Sequence, residues 1–172
     1  MSVQFISKVL KELENEAFKS KLGPFIFDSK PPIHADSTNG KDELLRNWNS
    51  KGIYLLTEPA EQGNTDLWQN QSAVWYIGKT YSNVYNRIRS HLGSPNEGHA
   101  FGQHEWRDLK YIPEKIREFL SKCQVEIYLI EVGHNPSLSE DKQRLVPELI
   151  EKQLLLAYVH EYGELPVLNR QF

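Results

Sequence analysis

The chain contains two short runs of strand-forming residues, Gly52-Ile53-Tyr54-Leu55-Leu56-Thr57 and Ala73-Val74-Trp75-Tyr76-Ile77-Gly78. Both runs are rich in β-branched and aromatic residues, which is typical of strands. Residues 58–72, which join them, are polar and contain several turn-forming residues, as a long connection does. The two runs therefore predict an antiparallel hairpin with an enlarged tip.

Amphipathic patterns on both sides of the hairpin predict flanking helices. Residues 124–132 alternate in the manner of a third strand, and Gly163 is expected to close the last helix. These elements predict an α+β fold with a small three-stranded antiparallel sheet, a domain over 51–172 and an N-terminal helical extension over 1–50. Helices are expected over residues 3–21, 42–49 and 82–92, in a short segment opened by Pro113, and from Pro147 to about Tyr162.

The composition is that of one folded domain. The chain has 172 residues, of which 39% are hydrophobic and 25% charged. A single cysteine excludes a disulfide framework and a zinc site built on paired cysteines. No run approaches the ~20 apolar residues that span a bilayer, and the first twenty residues lack a signal-peptide core. We therefore expect a cytoplasmic protein without a membrane partner.

The charge is unevenly distributed along the chain. The net charge of −3 argues against a protein that binds nucleic acid through bulk charge alone. Residues 79–122 nevertheless carry eight basic and five acidic side chains. Two interpretations of this segment stay open, a path for a DNA backbone or a solvated helix face. The basic residues in question are Lys110, Lys115, Arg117 and Lys122.

The triplets Gly52-Ile53-Tyr54 and Tyr76-Ile77-Gly78 together resemble the signature of the GIY-YIG nuclease superfamily. Either tyrosine alone would more simply be a packing residue on a strand. In that superfamily the helix after the second strand carries an arginine and often a histidine one turn later. Arg87 and His91 match this pattern and share one helix face, whereas Arg89 is the weaker match.

Two glutamates of the last predicted helix compete for the position of the superfamily's metal-binding glutamate. Glu148 has Lys152 four residues on, which favours a surface ion pair. Glu151 is followed by apolar residues three and four positions later and has no obvious local partner, so it matches the superfamily pattern better. We expect Glu151 to be the metal ligand and retain Glu148 as the alternative. Asn169 matches the asparagine that closes the family fold.

The resemblance implies hydrolysis of phosphodiester bonds with one Mg²⁺, for which Mn²⁺ is a plausible substitute. Glu151 would hold the ion, and Tyr54 would act as general base toward water. Free tyrosine titrates near pH ~10, so nearby cations, Lys79 and Arg87, would have to favour the phenolate. The other implied roles are positioning of water or phosphate by Tyr76, a hydrogen bond to phosphate or tyrosine from His91, and substrate binding by Lys79, Arg89 and Asn169.

The resemblance thus implies a metal-dependent endonuclease with DNA, in preference to RNA, as partner. A restriction-type enzyme, monomer or homodimer, is the first expectation, and a structure-specific repair nuclease is its closest rival. The long connection between the hairpin strands, residues 93–110 and the first 50 residues lie outside the shared pattern. The alternative, which is not an enzyme, is an inactive nucleic-acid-binding or partner-binding module on the same fold.

Overall fold

A computed structural model describes residues 2–14, 27–29, 33–34, 48–59, 72–81, 84, 112–121, 125–134, 136 and 138–169. Three α-helices and five strands are defined within these ranges. The helices are α1 (Val3–Glu12), α2 (Glu114–Ser121) and α3 (Glu140–Tyr162), followed by a 3-10 helix (Val167–Asn169). The strands are β1 (Phe27–Ser29), β2 (Ile33–His34), β3 (Gly52–Thr57), β4 (Val74–Thr80) and β5 (Glu126–Val132).

The three long strands form an antiparallel sheet with helices packed against it, so the predicted α+β class is confirmed. β3 lies at the centre, between β4 and β5, and pairs with both in antiparallel register. The predicted hairpin is therefore present as β3 and β4, although residues 60–71 of its connection lie outside the described residues. In the hairpin register Tyr54 lies opposite Gly78, which brings the two signature triplets side by side.

Two short strands extend the sheet beyond what the sequence predicted. β1 and β2 both pair antiparallel with β5, on the side away from β3. The strand at Ile33–His34 lies within residues 30–40, where two prolines and an Asn-Gly pair are typical of a loop, so the expectation of loop throughout this stretch is wrong. A strand of two or three residues is too short to carry an alternating pattern, and its pairing is set by the exposed backbone of β5.

The last helix begins earlier than its proline suggested. Pro147 was expected to open the helix, but α3 starts at Glu140 and contains Pro147 in its interior. Glu140 and Asp141 lie in its first turn, where negative charge interacts favourably with the helix dipole. The end agrees with prediction, because Gly163 adopts φ 76° and its N–H bonds the carbonyl of Val159 at 2.8 Å.

Apolar side chains cover both faces of the sheet. One face packs against α1 and α3, and its buried residues include Ile53, Leu55 and Ile77. The other face packs against α2 and the 3-10 helix, and it buries Tyr54 and Tyr76. This division follows from the alternation of side chains along a strand and determines on which face each candidate site residue lies.

The remaining predicted elements have mixed outcomes. The short helix after Pro113 and the third strand are present as α2 and β5. The first helix is confirmed over Val3–Glu12, and residues 15–21 of the prediction lie outside the described part of the chain. The same holds for most of the predicted helices over 42–49 and 82–92. Within the described residues, no helix has the length and apolarity needed to cross a membrane.

Candidate active site

The two signature tyrosines pack together over Gly78. The ring centroids of Tyr54 and Tyr76 are 5.8 Å apart, with an angle of 35° between the ring planes. A Cβ atom at position 78 would lie 2.5 Å from the Tyr54 ring, 2.5 Å from the Tyr76 ring and 2.6 Å from the Tyr54 hydroxyl. Glycine is therefore required at position 78 by the close approach of the two tyrosines.

Both tyrosine side chains are buried. Tyr54 has no exposed surface and Tyr76 is 5% exposed, so bulk solvent does not reach the rings freely. Trp48 belongs to the same apolar cluster, and its carbonyl accepts the backbone N–H of Val84 at 3.4 Å. The indole N–H of Trp48 is buried and has no acceptor among the described residues. This face of the sheet thus holds the Tyr54 hydroxyl beside Gly78 and a buried indole donor in the same apolar cluster.

A lysine–carboxylate centre lies on the opposite face of β4, next to α3. The Lys79 Nζ is 3.1 Å from Glu151 Oε2 and 3.6 Å from Glu148 Oε1. The side chains are largely sheltered, with exposed fractions of 28% for Lys79 and 15% for Glu151. Among the described residues, Lys79 is the only cation within ion-pair distance of Glu151.

The two glutamates differ in the number of their partners. Glu148 also accepts contacts from Lys152 Nζ at 3.1 Å and from the Tyr81 hydroxyl at 3.2 Å. The hydrogen bond from Lys152, the charge of Lys79 and the bond from Tyr81 hold the pKa of Glu148 below its usual value. The pair of Glu148 with Lys152 that the sequence predicted is therefore present, whereas Lys79 is the one ion-pair partner of Glu151 within the described part of the chain.

Lys79 stays protonated at this centre. Burial lowers the pKa of Lys79, but the hydrogen bond and charge of Glu151 outweigh it, with smaller contributions from Tyr81 and Glu148. The pKa therefore lies above its ordinary value, and the side chain is an ammonium at neutral pH. Its described contacts are with carboxylates, so the expected effect of Lys79 on the Tyr54 phenolate stays a prediction.

The sequence interpretation did not assign Tyr81 to the site. Tyr81 is 40% exposed, and its hydroxyl donates to Glu148 across the gap between β4 and α3. Burial and the charge of Glu148 raise the pKa of Tyr81, while Lys79 lowers it, and the pKa ends above its usual value. The signal was the i, i+2 spacing of Lys79 and Tyr81, which directs both side chains toward α3 when the extended backbone of β4 continues past Gly78.

Asn169 binds the outer edge of β4. Its side-chain oxygen accepts the backbone N–H of Ile77 at 2.9 Å, and its side-chain amide donates to the Ile77 carbonyl at 2.9 Å. Asn169 is 2% exposed, so these two bonds use a buried amide to complete the edge of the sheet. The expected closing role thus has a physical basis, and substrate binding by Asn169 stays a prediction.

Three expected site residues, Arg87, Arg89 and His91, lie outside the described residues, as do Lys110 and Lys122 of the basic segment. Two other basic residues of that segment, Lys115 and Arg117, are exposed on α2. The Lys115 Nζ lies 2.5 Å from Glu58 Oε1, so one of the two pairs with a carboxylate.

The donor set beside Lys79 fits a small hard cation. Mg²⁺ prefers carboxylate oxygens and usually keeps several water ligands, so one or two protein carboxylates are enough. The ammonium of Lys79 already shows that a positive charge is accommodated between Glu148 and Glu151. Within the described part of the chain, no group of three or more His, Cys, Asp or Glu side chains is placed to hold a metal ion. A site here would therefore rest mainly on Glu151.

Comparison with protein-family models, with curated proteins and with solved structures finds no match to this chain. The functional interpretation consequently depends on the two signature triplets and on the contacts of β4 and α3.

Proposed function

We propose that the protein is a divalent-metal-dependent endonuclease of the GIY-YIG type that hydrolyses phosphodiester bonds in DNA. The observation that supports this most directly is the arrangement around β4. One end of this strand carries the Tyr54–Tyr76 pair over Gly78 on one face and the Lys79–Glu151 pair on the other. Residues of both signature triplets and of α3 thus lie near the same end of β4, the tyrosines on one face and Glu151 on the other. Because β4 lies at the edge of the described sheet, the proposal requires a substrate phosphate that reaches both faces there.

Glu151 is the proposed ligand for Mg²⁺, or for Mn²⁺ in its place. A bound ion would supply charge stabilisation to the phosphate oxygens and to the leaving 3′ oxygen. Glu148 is less suited to be the principal ligand because Lys152 and Tyr81 already occupy its oxygens. Lys79 would contribute a positive charge for the substrate phosphate once it is released from the carboxylates.

Tyr54 is the proposed general base. The Tyr54 phenolate would take a proton from a water whose oxygen adds to phosphorus. The bond from phosphorus to the 3′ oxygen would break, and the 3′ oxyanion released would take a proton from solvent. Because Tyr54 is fully buried and the two rings fill the position beside Gly78, neighbouring side chains would have to move to admit the reacting water to the Tyr54 oxygen. Tyr76 would orient that water, and Arg87 and His91 would contact the phosphate.

The burial of both tyrosines also favours a second candidate, an inactive binding module in which the rings serve only to pack. The two candidates differ in a cleavage assay. Purified protein would be incubated with plasmid DNA, branched DNA and structured RNA, each in Mg²⁺ and in EDTA, and binding would be measured on the same substrates.

An endonuclease is expected to cut at least one of these DNAs in Mg²⁺ and none in EDTA. Discrete bands would indicate a restriction-type enzyme, and cleavage confined to branched DNA would indicate a repair-type enzyme. Binding without cleavage on every substrate would contradict the proposal and favour the inactive module.

A further inference from the structure

Glu151 is a carboxylate that needs a cation in the folded protein. Its side chain is 15% exposed and lies at the apolar border of α3, where an unpaired negative charge is unfavourable. Lys79 supplies the only cation near it among the described residues, at 3.1 Å. The site that the proposed function gives to a divalent ion is thus held by an ammonium in the free protein.

The ammonium and a divalent ion compete for the same carboxylate. An ion bound to Glu151 at the ~2 Å distance typical of Mg²⁺ would lie within a few ångströms of the Lys79 Nζ. Two positive charges at that separation repel each other strongly in a partly buried setting. Lysine has a long flexible stem, so its ammonium can swing away while the strand stays in place.

Glu148 does not oppose this exchange. When Lys79 leaves, Glu148 keeps Lys152 at 3.1 Å and the Tyr81 hydroxyl at 3.2 Å as partners. Only Glu151 loses its counter-charge, and the incoming ion replaces it. Glu148 therefore keeps its partners throughout, whereas Glu151 exchanges the Lys79 ammonium for the divalent ion.

We propose that Lys79 is a displaceable counter-ion that occupies the cation position on Glu151 until a divalent ion takes it. Lys79 thereby weakens metal binding in the free protein, and its ammonium becomes available to a phosphate once the ion has bound. Metal and phosphodiester binding are then coupled, because each favours the arrangement that the other requires. This inference rests on the proposed function, since it takes Glu151 as the metal ligand.

The test measures metal binding without nucleic acid and without turnover. MnCl₂ would be titrated calorimetrically into the wild-type protein, Lys79→Met and the matched control Lys152→Met. The Lys152 ammonium contacts Glu148 at 3.1 Å but is not a partner of Glu151. Lys79→Met is expected to bind Mn²⁺ on the order of tenfold more tightly, the effect of removing one competing charge-assisted contact. Lys152→Met is expected to stay within about twofold of wild type, well under the tenfold step.

A second variant and a second measurement distinguish a change in metal affinity from a folding defect. Lys79→Gln keeps a neutral donor beside Glu151 and should also bind Mn²⁺ more tightly than wild type. Both Lys79 variants are expected to have a lower Tm in EDTA and to recover more of it on addition of Mn²⁺ than wild type does. Adding Glu151→Gln to either variant should remove the gain in affinity.

The outcomes separate this inference from the proposed function. If wild type binds Mn²⁺ through Glu151 and neither Lys79 variant binds it more tightly, Lys79 is not a competing counter-ion, although the metal site stands. If no variant binds Mn²⁺ at all, both the counter-ion role and the metal site on Glu151 are wrong.

Discussion

Position 78 must be glycine because the rings of Tyr54 and Tyr76 leave no room there for a side chain. The sequence pointed to this position through the two triplets, and the structure adds the reason, which is the approach of the Tyr54 and Tyr76 rings. The tyrosines themselves could be predicted as site residues only from the resemblance. Their burial could not, because it depends on residues that are distant in sequence, such as Ile112 and Leu168.

Gly78→Ala is expected to displace the tyrosine pair. The added methyl would overlap both rings, so we expect the free energy of unfolding to fall by about 1–3 kcal/mol and the near-ultraviolet circular dichroism signal to change. Gly163→Ala is the matched control, because position 163 has open space and only its positive φ opposes alanine. An unchanged spectrum for Gly78→Ala would show that the rings tolerate a side chain there.

Asn169→Ala is expected to release the edge of β4. The substitution leaves the buried N–H and C=O of Ile77 without their described side-chain partners. Each unsatisfied buried group costs roughly 1–3 kcal/mol, so a loss of about 2 kcal/mol or more should appear in urea unfolding. A change below about 0.5 kcal/mol, the size typical of ordinary surface substitutions, would mean that these bonds are dispensable.

At the scale of elements, the strongest patterns were predicted correctly, and the errors lie at particular ends, such as the start of α3 and the end of β4. β3, β4 and β5 carry dense β-branched and aromatic residues and were all anticipated. β4 continues through Thr80, beyond the expected end at Gly78, and this extension brings Lys79 onto the α3 face. The contact of Lys79 with Glu151 joins residues that are 72 positions apart, so no local pattern could reveal it.

Proline is common at the first position of a helix, and Pro147 was therefore predicted to open the last helix, but it lies inside α3. An interior proline costs about 3 kcal/mol, since it removes an amide donor and crowds the carbonyl four residues earlier, that of Gln143. Pro147 is buried, so alanine would forfeit two methylenes worth about 0.8 kcal/mol each. Pro147→Ala is therefore expected to raise the free energy of unfolding by about 1 kcal/mol in urea titrations. A decrease would mean that packing of the ring dominates.

At the scale of the whole molecule, the first 50 residues contribute to the sheet and to its core. Val3, Ile6 and Leu10 of α1 are buried against the α3 face, and the Phe5 ring meets Tyr162 at 5.2 Å. The hydrophobic periodicity predicted α1 itself. It did not predict where α1 packs, and no pattern in the sequence predicted the pairing of β1 and β2 with β5.

Removal of residues 1–50 is expected to destabilise residues 51–172 severely. The truncation would expose the apolar surface that α1 covers and the edge of β5, and exposed sheet edges promote association. Size-exclusion chromatography should show aggregates or larger species, and thermal unfolding should lose its cooperative transition. A monomeric truncated chain with an unchanged Tm would instead support an independent domain that begins at residue 51.

Cleavage of supercoiled plasmid by wild-type protein and Glu151→Gln, in Mg²⁺ and in EDTA, tests the central claim most directly. The matched control is Glu161→Gln, which removes an exposed carboxylate from the same helix. We predict Mg²⁺-dependent nicking or linearisation by wild type and by Glu161→Gln, and a loss of at least about a hundredfold in rate for Glu151→Gln. Equal cleavage by Glu151→Gln, or cleavage that persists in EDTA, would contradict a metal-dependent nuclease centred on Glu151.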